Sequence, residues 1–109
     1  MSYKVAAIDN FKREAKRLIK KYPSLHKELS ELGKELAINP TAGTSLGNNC
    51  YKIRLSIGSK GKGKSGGARI ITFVYVKVNT VFLISIYDKS ERTNISTKEL
   101  VNLLKELPH

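Results

Sequence analysis

The chain has 109 residues, 40% of them hydrophobic, and a formal net charge of +11 at pH 7, with an isoelectric point near 9.9. That length holds one domain around a single core, and that charge calls for an anionic partner: nucleic acid, an acidic protein or a membrane surface. A single cysteine, Cys50, excludes an internal disulfide and suits a reducing cytoplasm; the two histidines, His26 and His109, form no Cys/His cluster and argue against a metal site; and no run reaches the ~20 apolar residues of a membrane span.

Residues 3 to 8 read as a short first strand, and Asp9 or Asn10 can cap the helix that follows. Phe11, Ala15, Leu18, Ile19 and Tyr22 recur at helical spacing and give that helix one apolar face. Lys12, Arg13, Lys16, Arg17, Lys20 and Lys21 cover much of the rest, a face that either serves solubility or adds a secondary RNA contact. Pro23 breaks the chain and Ser24 can cap a second helix, with Leu25, Leu29, Leu32 and Leu36 inward and Glu28, Glu31 and Glu35 outward. Asn39-Pro40 ends this helical hairpin, and residues 39 to 49 are a loop by composition.

Tyr51, Ile53, Leu55 and Ile57 then alternate with Lys52, Arg54 and Ser56, the pattern of a half-buried strand with a basic outer face. A second strand is expected from Ala68 to Val76, a tight turn over 77–80, and a last strand from Val81 to Lys89 that is apolar enough to be central. Three strands in sequence imply an antiparallel meander. Ser96-Thr97-Lys98-Glu99 is a capping box with Ile95 and Leu100 as its staple, so residues 97–107 form a terminal helix with Leu100, Leu103, Leu104 and Leu107 inward. The order β-α-α-β-β-β-α describes one α+β domain over residues 1–109: an antiparallel sheet, an N-terminal helical hairpin on one face, and a C-terminal helix.

Charge is segregated along this order. From Ala37 to Tyr87 there are seven basic residues (Lys52, Arg54, Lys60, Lys62, Lys64, Arg69, Lys77) and no acidic one. The densest part is the loop from Gly58 to Gly67, with five glycines and three lysines, closed by Arg69. Glycines allow a backbone to approach another molecule closely, and a flexible polycation suits phosphate; the alternative is a solvated hairpin loop with no role. Gly58 to Ser65 also matches G-x-x-x-x-G-K-S, but a phosphate-binding loop of that type leads into a helix, and Ala68-Arg69-Ile70-Ile71-Thr72-Phe73-Val74 reads as a strand.

Three stretches carry a likeness: Tyr51-Lys52-Ile53-Arg54-Leu55, then Gly61-Lys62-Gly63-Lys64-Ser65-Gly66-Gly67-Ala68-Arg69-Ile70-Ile71, then Leu83-Ile84-Ser85-Ile86-Tyr87-Asp88-Lys89-Ser90-Glu91. Together they resemble the RelE/HigB superfamily of bacterial toxins over nearly the whole chain, closest to the branch with a G-K-x-G-G-x-R loop and a Y-x-K-x-E strand end. The resemblance implies the toxin of a type II toxin–antitoxin pair, an endoribonuclease that cleaves mRNA in the ribosomal A site and stops translation. It implies as partners mRNA, ribosomal RNA and a cognate helix-turn-helix antitoxin, in the cytoplasm and without a cofactor. A catalytically silent relative that binds RNA, the ribosome or only an antitoxin, a general RNA-binding module, and a ParE-like gyrase inhibitor remain as other readings.

RNA carries its own nucleophile, the 2′-hydroxyl, so a protein need only orient it, move protons and stabilise charge on the phosphorane-like transition state. Cations supply the last without a metal, and a lysine serves in proton transfer where burial and positive neighbours lower its pKa. Arg69 opens a strand, has a planar fork suited to phosphate, and matches the family's arginine at this place, so it is expected to clamp the scissile phosphate; the alternative is an arginine covering a sheet face. Lys89 matches a basic position at the end of the last strand. Lys60, Lys62 and Lys64 match the basic hairpin loop, Lys62 and Lys64 as catalytic candidates and Lys60 as an RNA contact. Lys52 and Arg54 are expected to hold RNA backbone. Tyr87 either stacks on a base or belongs to the core. The chain departs from the family after the last strand, where some members carry a catalytic tyrosine or histidine and this one reads Arg92-Thr93-Asn94-Ile95.

Overall fold

The computed structural model describes residues 2–61, Gly63 and residues 66–107. The elements run β1 (Lys4–Ala7), α1 (Asp9–Lys21), α2 (Leu25–Ile38), β2 (Thr44–Gly47), β3 (Cys50–Leu55), β4 (Ala68–Tyr75), a short 3-10 turn at Val76–Val78, β5 (Thr80–Asp88) and α3 (Thr97–Leu104). The five strands form one sheet in the order β1-β5-β4-β3-β2. β3, β4 and β5 make the expected antiparallel meander, whereas β1 joins β5 in parallel, Val5 beside Val81, so the sheet as a whole is mixed.

β2 lies inside the segment that composition assigns to a loop. All four of its residues are exposed, so it carries no alternation of polar and apolar side chains from which a strand is read. Tertiary contact holds it: it pairs antiparallel with β3, Ser45 beside Tyr51. Asn48 and Asn49, at φ 53° and 63°, turn the hairpin, the left-handed pair that matches strand twist. At Gly43 a Cβ would meet the Lys52 carbonyl oxygen at 2.4 Å, so only glycine lets β2 come this close.

The inner faces of α1 and α2 are the ones the periodicity marks. Phe11, Ala15, Leu18, Leu25, Leu32 and Leu36 are buried in one cluster with Ile53, Ile57, Ile70, Val74, Ile84 and Ile86. The caps differ from expectation. Ile8, not Asp9 or Asn10, stands at the N-cap of α1. Asn10 Nδ2 instead donates to the Ile84 carbonyl at 3.1 Å. Beside it, Glu14 Oε1 accepts from Ile86 N at 3.2 Å, Ser85 Oγ at 2.8 Å and Asn10 Nδ2 at 2.9 Å. β1 accompanies β5 only to Leu83, and a bulge follows where Ile71 faces Ser85 but Thr72 faces Leu83; Asn10 and Glu14 satisfy backbone groups that this irregular edge leaves open.

Ser24 does sit at the N-cap of α2, but its side chain caps no helical amide. Its Oγ accepts from Ser59 N at 2.8 Å while Ser59 Oγ accepts from Ser24 N at 2.9 Å, and Glu28 Oε2 accepts from Gly58 N at 2.8 Å. The start of α2 is therefore the seat of the glycine/lysine loop. At the chain's other end Ser96 Oγ accepts from Glu99 N at 3.1 Å, the expected half of a capping box; the Glu99 carboxylate goes to Arg92 instead of back to Ser96. α3 ends at Leu104, because residues 105–107 tighten into three-residue turns.

The polar centre of the fold is Asp88, fully buried at the end of β5. Oδ1 accepts from the Lys60 ammonium and from Ser90 N and Oγ, each at 2.9 Å, and Oδ2 accepts from Tyr22 Oη at 2.9 Å. Burial alone raises its pKa, but the hydrogen bonds from Lys60, Ser90 and Tyr22 outweigh it and hold the carboxyl well below the usual carboxylate range. The Lys60 side chain is 8% exposed and its ammonium also lies 5.6 Å from the Tyr22 ring centroid. Replacing one member of a buried pair leaves the other uncompensated, so Lys60→Met and Asp88→Asn are each expected to cost about 3 kcal/mol at pH 7 in urea unfolding. Because the folded-state pKa is depressed, this contribution is present above about pH 4 and is lost as pH falls further, so the gap between wild type and Asp88→Asn narrows below pH ~4. A gap that stays constant from pH 7 to pH 3 would contradict this account.

Candidate nucleic-acid interface

Strand register gathers the cations. Arg54, Arg69 and Tyr87 are direct cross-strand partners on β3, β4 and β5, and Lys52 is level with Ile71 and Ser85. Directly paired residues point to the same side of a sheet, as do residues two apart, so Lys52, Arg54 and Arg69 share a face. Lys89 follows two residues after Tyr87, just past the strand. The pKa of Lys52 is lowered, first by burial and then by Lys89, Arg69 and Arg54, which places all four charges within electrostatic reach.

Each is held differently. Arg69 is 5% exposed and lies between the fully buried Ala68 and Ile70; its Nη1 donates to the Ala68 carbonyl at 3.2 Å. Lys89 donates from its backbone N to Gly67 O at 3.0 Å and from Nζ to Thr93 O at 3.2 Å. Lys52 Nζ donates to Asn94 Oδ1 at 3.0 Å. Arg54 is exposed. The segment after β5 thus folds back along this face, with Thr93 and Asn94 supplying neutral acceptors. Among the described residues, Lys52, Arg54 and Lys89 have no carboxylate partner; the nearby acids are engaged elsewhere, Asp88 by Lys60, Glu91 by Arg17 at 2.6 Å and Lys21 at 3.4 Å, and Glu99 by Arg92 at 2.7 Å.

Two sequence expectations change. Lys60 does not project with the loop: its ammonium turns inward to Asp88 and Ser90, because the buried carboxylate is a stronger partner than water. Tyr87 is 3% exposed, with the Arg92 guanidinium 5.1 Å from its ring centroid, so in this conformation no base can stack on it. Burial raises the Tyr87 pKa, against the pull of Arg92 and Arg69, and its hydroxyl has no hydrogen-bond partner among the described residues. Lys62 and Lys64 lie outside the described residues. β4 begins directly at Ala68, so no helix follows the G-x-x-x-x-G-K-S stretch and it is not a nucleotide-binding loop.

Sequence reasoning did not assign Arg92 or Asn94. Arg92 donates to Glu99 through Nη1 at 3.1 Å and Nη2 at 2.7 Å, and to the Asn94 carbonyl through Nε and Nη2 at 3.1 and 3.0 Å. It ties the segment after β5 to α3 and roofs Tyr87. Arg92 and Glu99 stand seven residues apart across a loop and a helix start, a spacing with no periodic signal. No group of three or more potential metal-ligating side chains occurs among the described residues, and none of their helices is long and apolar enough to cross a membrane. What the face can do chemically is attract phosphate: two arginines and two lysines, three of the four fixed by strand pairing, and one amine, Lys52, whose proton is loosened by burial and by its positive neighbours.

Two comparisons bear on identity. A solved structure of the E. coli toxin RelE, a double mutant with two arginines changed to alanine, in the free state, is similar in fold, with a TM-score of 0.65 and 20% sequence identity over 99% of this chain and 100% of that one. The family model described as "RelE toxin of RelE / RelB toxin-antitoxin system" matches residues 3–108. With the match spanning nearly its whole length, and the sheet and helices arranged as in RelE, the chain belongs to the RelE toxin family of toxin–antitoxin systems.

Proposed function

We propose that this toxin is a ribosome-dependent mRNA endoribonuclease that inhibits translation by metal-independent cleavage using the RNA 2′-hydroxyl. The observation that carries the reading is the convergence of Lys52 and Arg54 on β3, Arg69 on β4 and Lys89 in the turn after β5, with Lys52, Arg54 and Lys89 lacking a carboxylate partner among the described residues. Arg69, rigid in β4 and only 5% exposed, acts through its fixed positive charge beneath the face, which stabilises the charge that grows on the scissile phosphate. Lys89 neutralises a second phosphate oxygen or the leaving oxygen. Arg54 holds the RNA backbone. Lys52 takes the proton of the 2′-hydroxyl: burial and three positive neighbours enlarge its neutral fraction, which an exposed lysine lacks near neutral pH. Lys62 and Lys64 are catalytic candidates by the resemblance of their loop alone.

The shape of this face supports ribosome dependence. A sheet face touches one side of an extended strand, and in-line geometry requires the other side to be held as well; message seated on a ribosome is held. The partner that neutralises the toxin is a cognate antitoxin of the helix-turn-helix kind, with an acidic segment laid on Lys52, Arg54 and Lys89. Catalytically silent binding is the second reading, favoured by the burial of Tyr87, the tyrosine of this face, beneath Arg92.

Two experiments check the leading reading. Cleavage is mapped by primer extension on one message, free and ribosome-loaded. Cuts confined to the loaded message, with kcat about 10²–10³-fold lower in Arg69→Ala, are expected; undiminished cutting by that variant would remove Arg69 from the chemistry, and no cutting by wild type would favour the silent reading. The second is the pH profile of single-turnover cleavage. Its ascending limb reports Lys52, and removing a neighbouring cation by Arg54→Met raises the Lys52 pKa, so the limb moves to higher pH. A limb that stays in place in Arg54→Met, or survives in Lys52→Met, would assign the proton transfer to another group.

A further inference from the structure

Lys60, Asp88 and Ser90 surround Lys89 without touching the basic face themselves. Lys89 lies between Asp88 and Ser90 in the chain. Asp88 Oδ1 accepts from Ser90 N at 2.9 Å, and the Asp88 carbonyl accepts from Glu91 N at 2.9 Å and Arg92 N at 3.1 Å, so the backbone that carries Lys89 is locked in a tight turn. The Lys60 ammonium bridges Asp88 Oδ1 and Ser90 Oγ, and so bonds the turn at two points. Lys60 belongs to the first foot of the glycine/lysine loop, where its N and Gly61 N bond the Ile57 carbonyl at 3.0 and 3.2 Å. The second foot, Gly67, receives the Lys89 N–H at 3.0 Å, and there a Cβ would meet the Leu55 carbonyl oxygen at 2.1 Å. Both feet of the loop are therefore tied to the turn at Lys89, and the strand that leaves the second foot starts with Ala68 and Arg69, level with Asp88 and Tyr87.

We propose that Lys60, Asp88 and Ser90 are positioning residues for the cleavage reaction: the Lys60 bridge to Asp88 and Ser90 sets where Lys89 stands relative to Arg69, and Lys60 makes no contact with RNA. This rests on the nuclease reading above for its kinetic consequences, but the coupling itself is a property of the free protein.

The roles separate in kinetics and salt dependence. A phosphate-contacting lysine, once neutralised, raises KM, flattens the salt dependence and leaves kcat alone. A positioning lysine does the reverse: Lys60→Met is expected to lower kcat on ribosome-loaded message about tenfold with KM within about twofold and the salt slope unchanged, and Lys60→Arg to recover most of the loss. Ser90→Ala, which removes one hydroxyl and keeps the ion pair, is expected to lower kcat about threefold with an unchanged melting temperature, and it carries the test if Lys60→Met fails to fold. Hydrogen exchange of the Lys89 amide, which bonds Gly67 O, gives a readout without activity: Lys60→Met, or Ser90→Ala in its place, is expected to speed it about tenfold. A raised KM with a flattened salt slope, or unchanged Lys89 protection, would overturn the proposal. If wild type does not cleave at all, the nuclease reading fails, and exchange alone still decides for or against the clamp.

Discussion

A charge buried at the end of the central strand governs how the rest of the chain can pack. Asp88 has no exposed surface, and an ion removed from water costs several kcal/mol unless donors replace the lost hydration. Four donors do so, from Tyr22 behind α1, from Lys60 in the loop, and from the backbone and hydroxyl of Ser90. These lie up to 66 residues from Asp88, so the helical hairpin, the loop and the turn after β5 must all arrive together. An apolar residue at 88 would tolerate slack in any of them; a carboxylate does not.

A second polar joint works along the same strand. β1 pairs with β5 only as far as Leu83, and beyond it Asn10 and Glu14 of α1 take the Ile84 carbonyl and the Ile86 N–H. β5 is thus paired by β4 on one side and, on the other, by a strand for half its length and by helical side chains for the rest. That arrangement presses α1 against the sheet and leaves the Lys52/Arg54/Arg69 face to the strands and the segment after them.

The two joints, with the surface pairs, convert segregation along the chain into segregation in space. Acids are scarce and flank the basic middle. Asp88 takes Lys60, Glu91 takes Arg17 and Lys21, and Glu99 takes Arg92. Among the described residues, Lys52 and Lys89 meet only neutral acceptors, Asn94 and Thr93. A cation held by a neutral oxygen is positioned but not neutralised, which keeps its field available to phosphate.

Elements that depend on local chemistry were legible in the amino-acid sequence: the apolar faces of α1 and α2 from their period, the meander from alternation and turn residues, the α3 start from Ser96, and the basic character of β3 and of the Gly58–Arg69 stretch. The likeness of the loop and strand-end motifs to RelE-type toxins placed the family. What only the tertiary structure decided depends on distant partners. β2 is a strand because β3 offers it an edge, not because its exposed side chains alternate. β1 runs parallel to β5, a choice made by where the helical hairpin returns the chain. Lys60 and Lys89 look alike in sequence, each a lysine beside glycine or serine; one turns inward and one stays on the face because a buried carboxylate lies in reach of the first alone. Tyr87 is roofed because Arg92 is anchored by a glutamate on another element. Periodicity and propensity act within a few residues, whereas the fate of a charged or aromatic side chain is set by the nearest desolvated partner, which the folded chain brings from anywhere along its length.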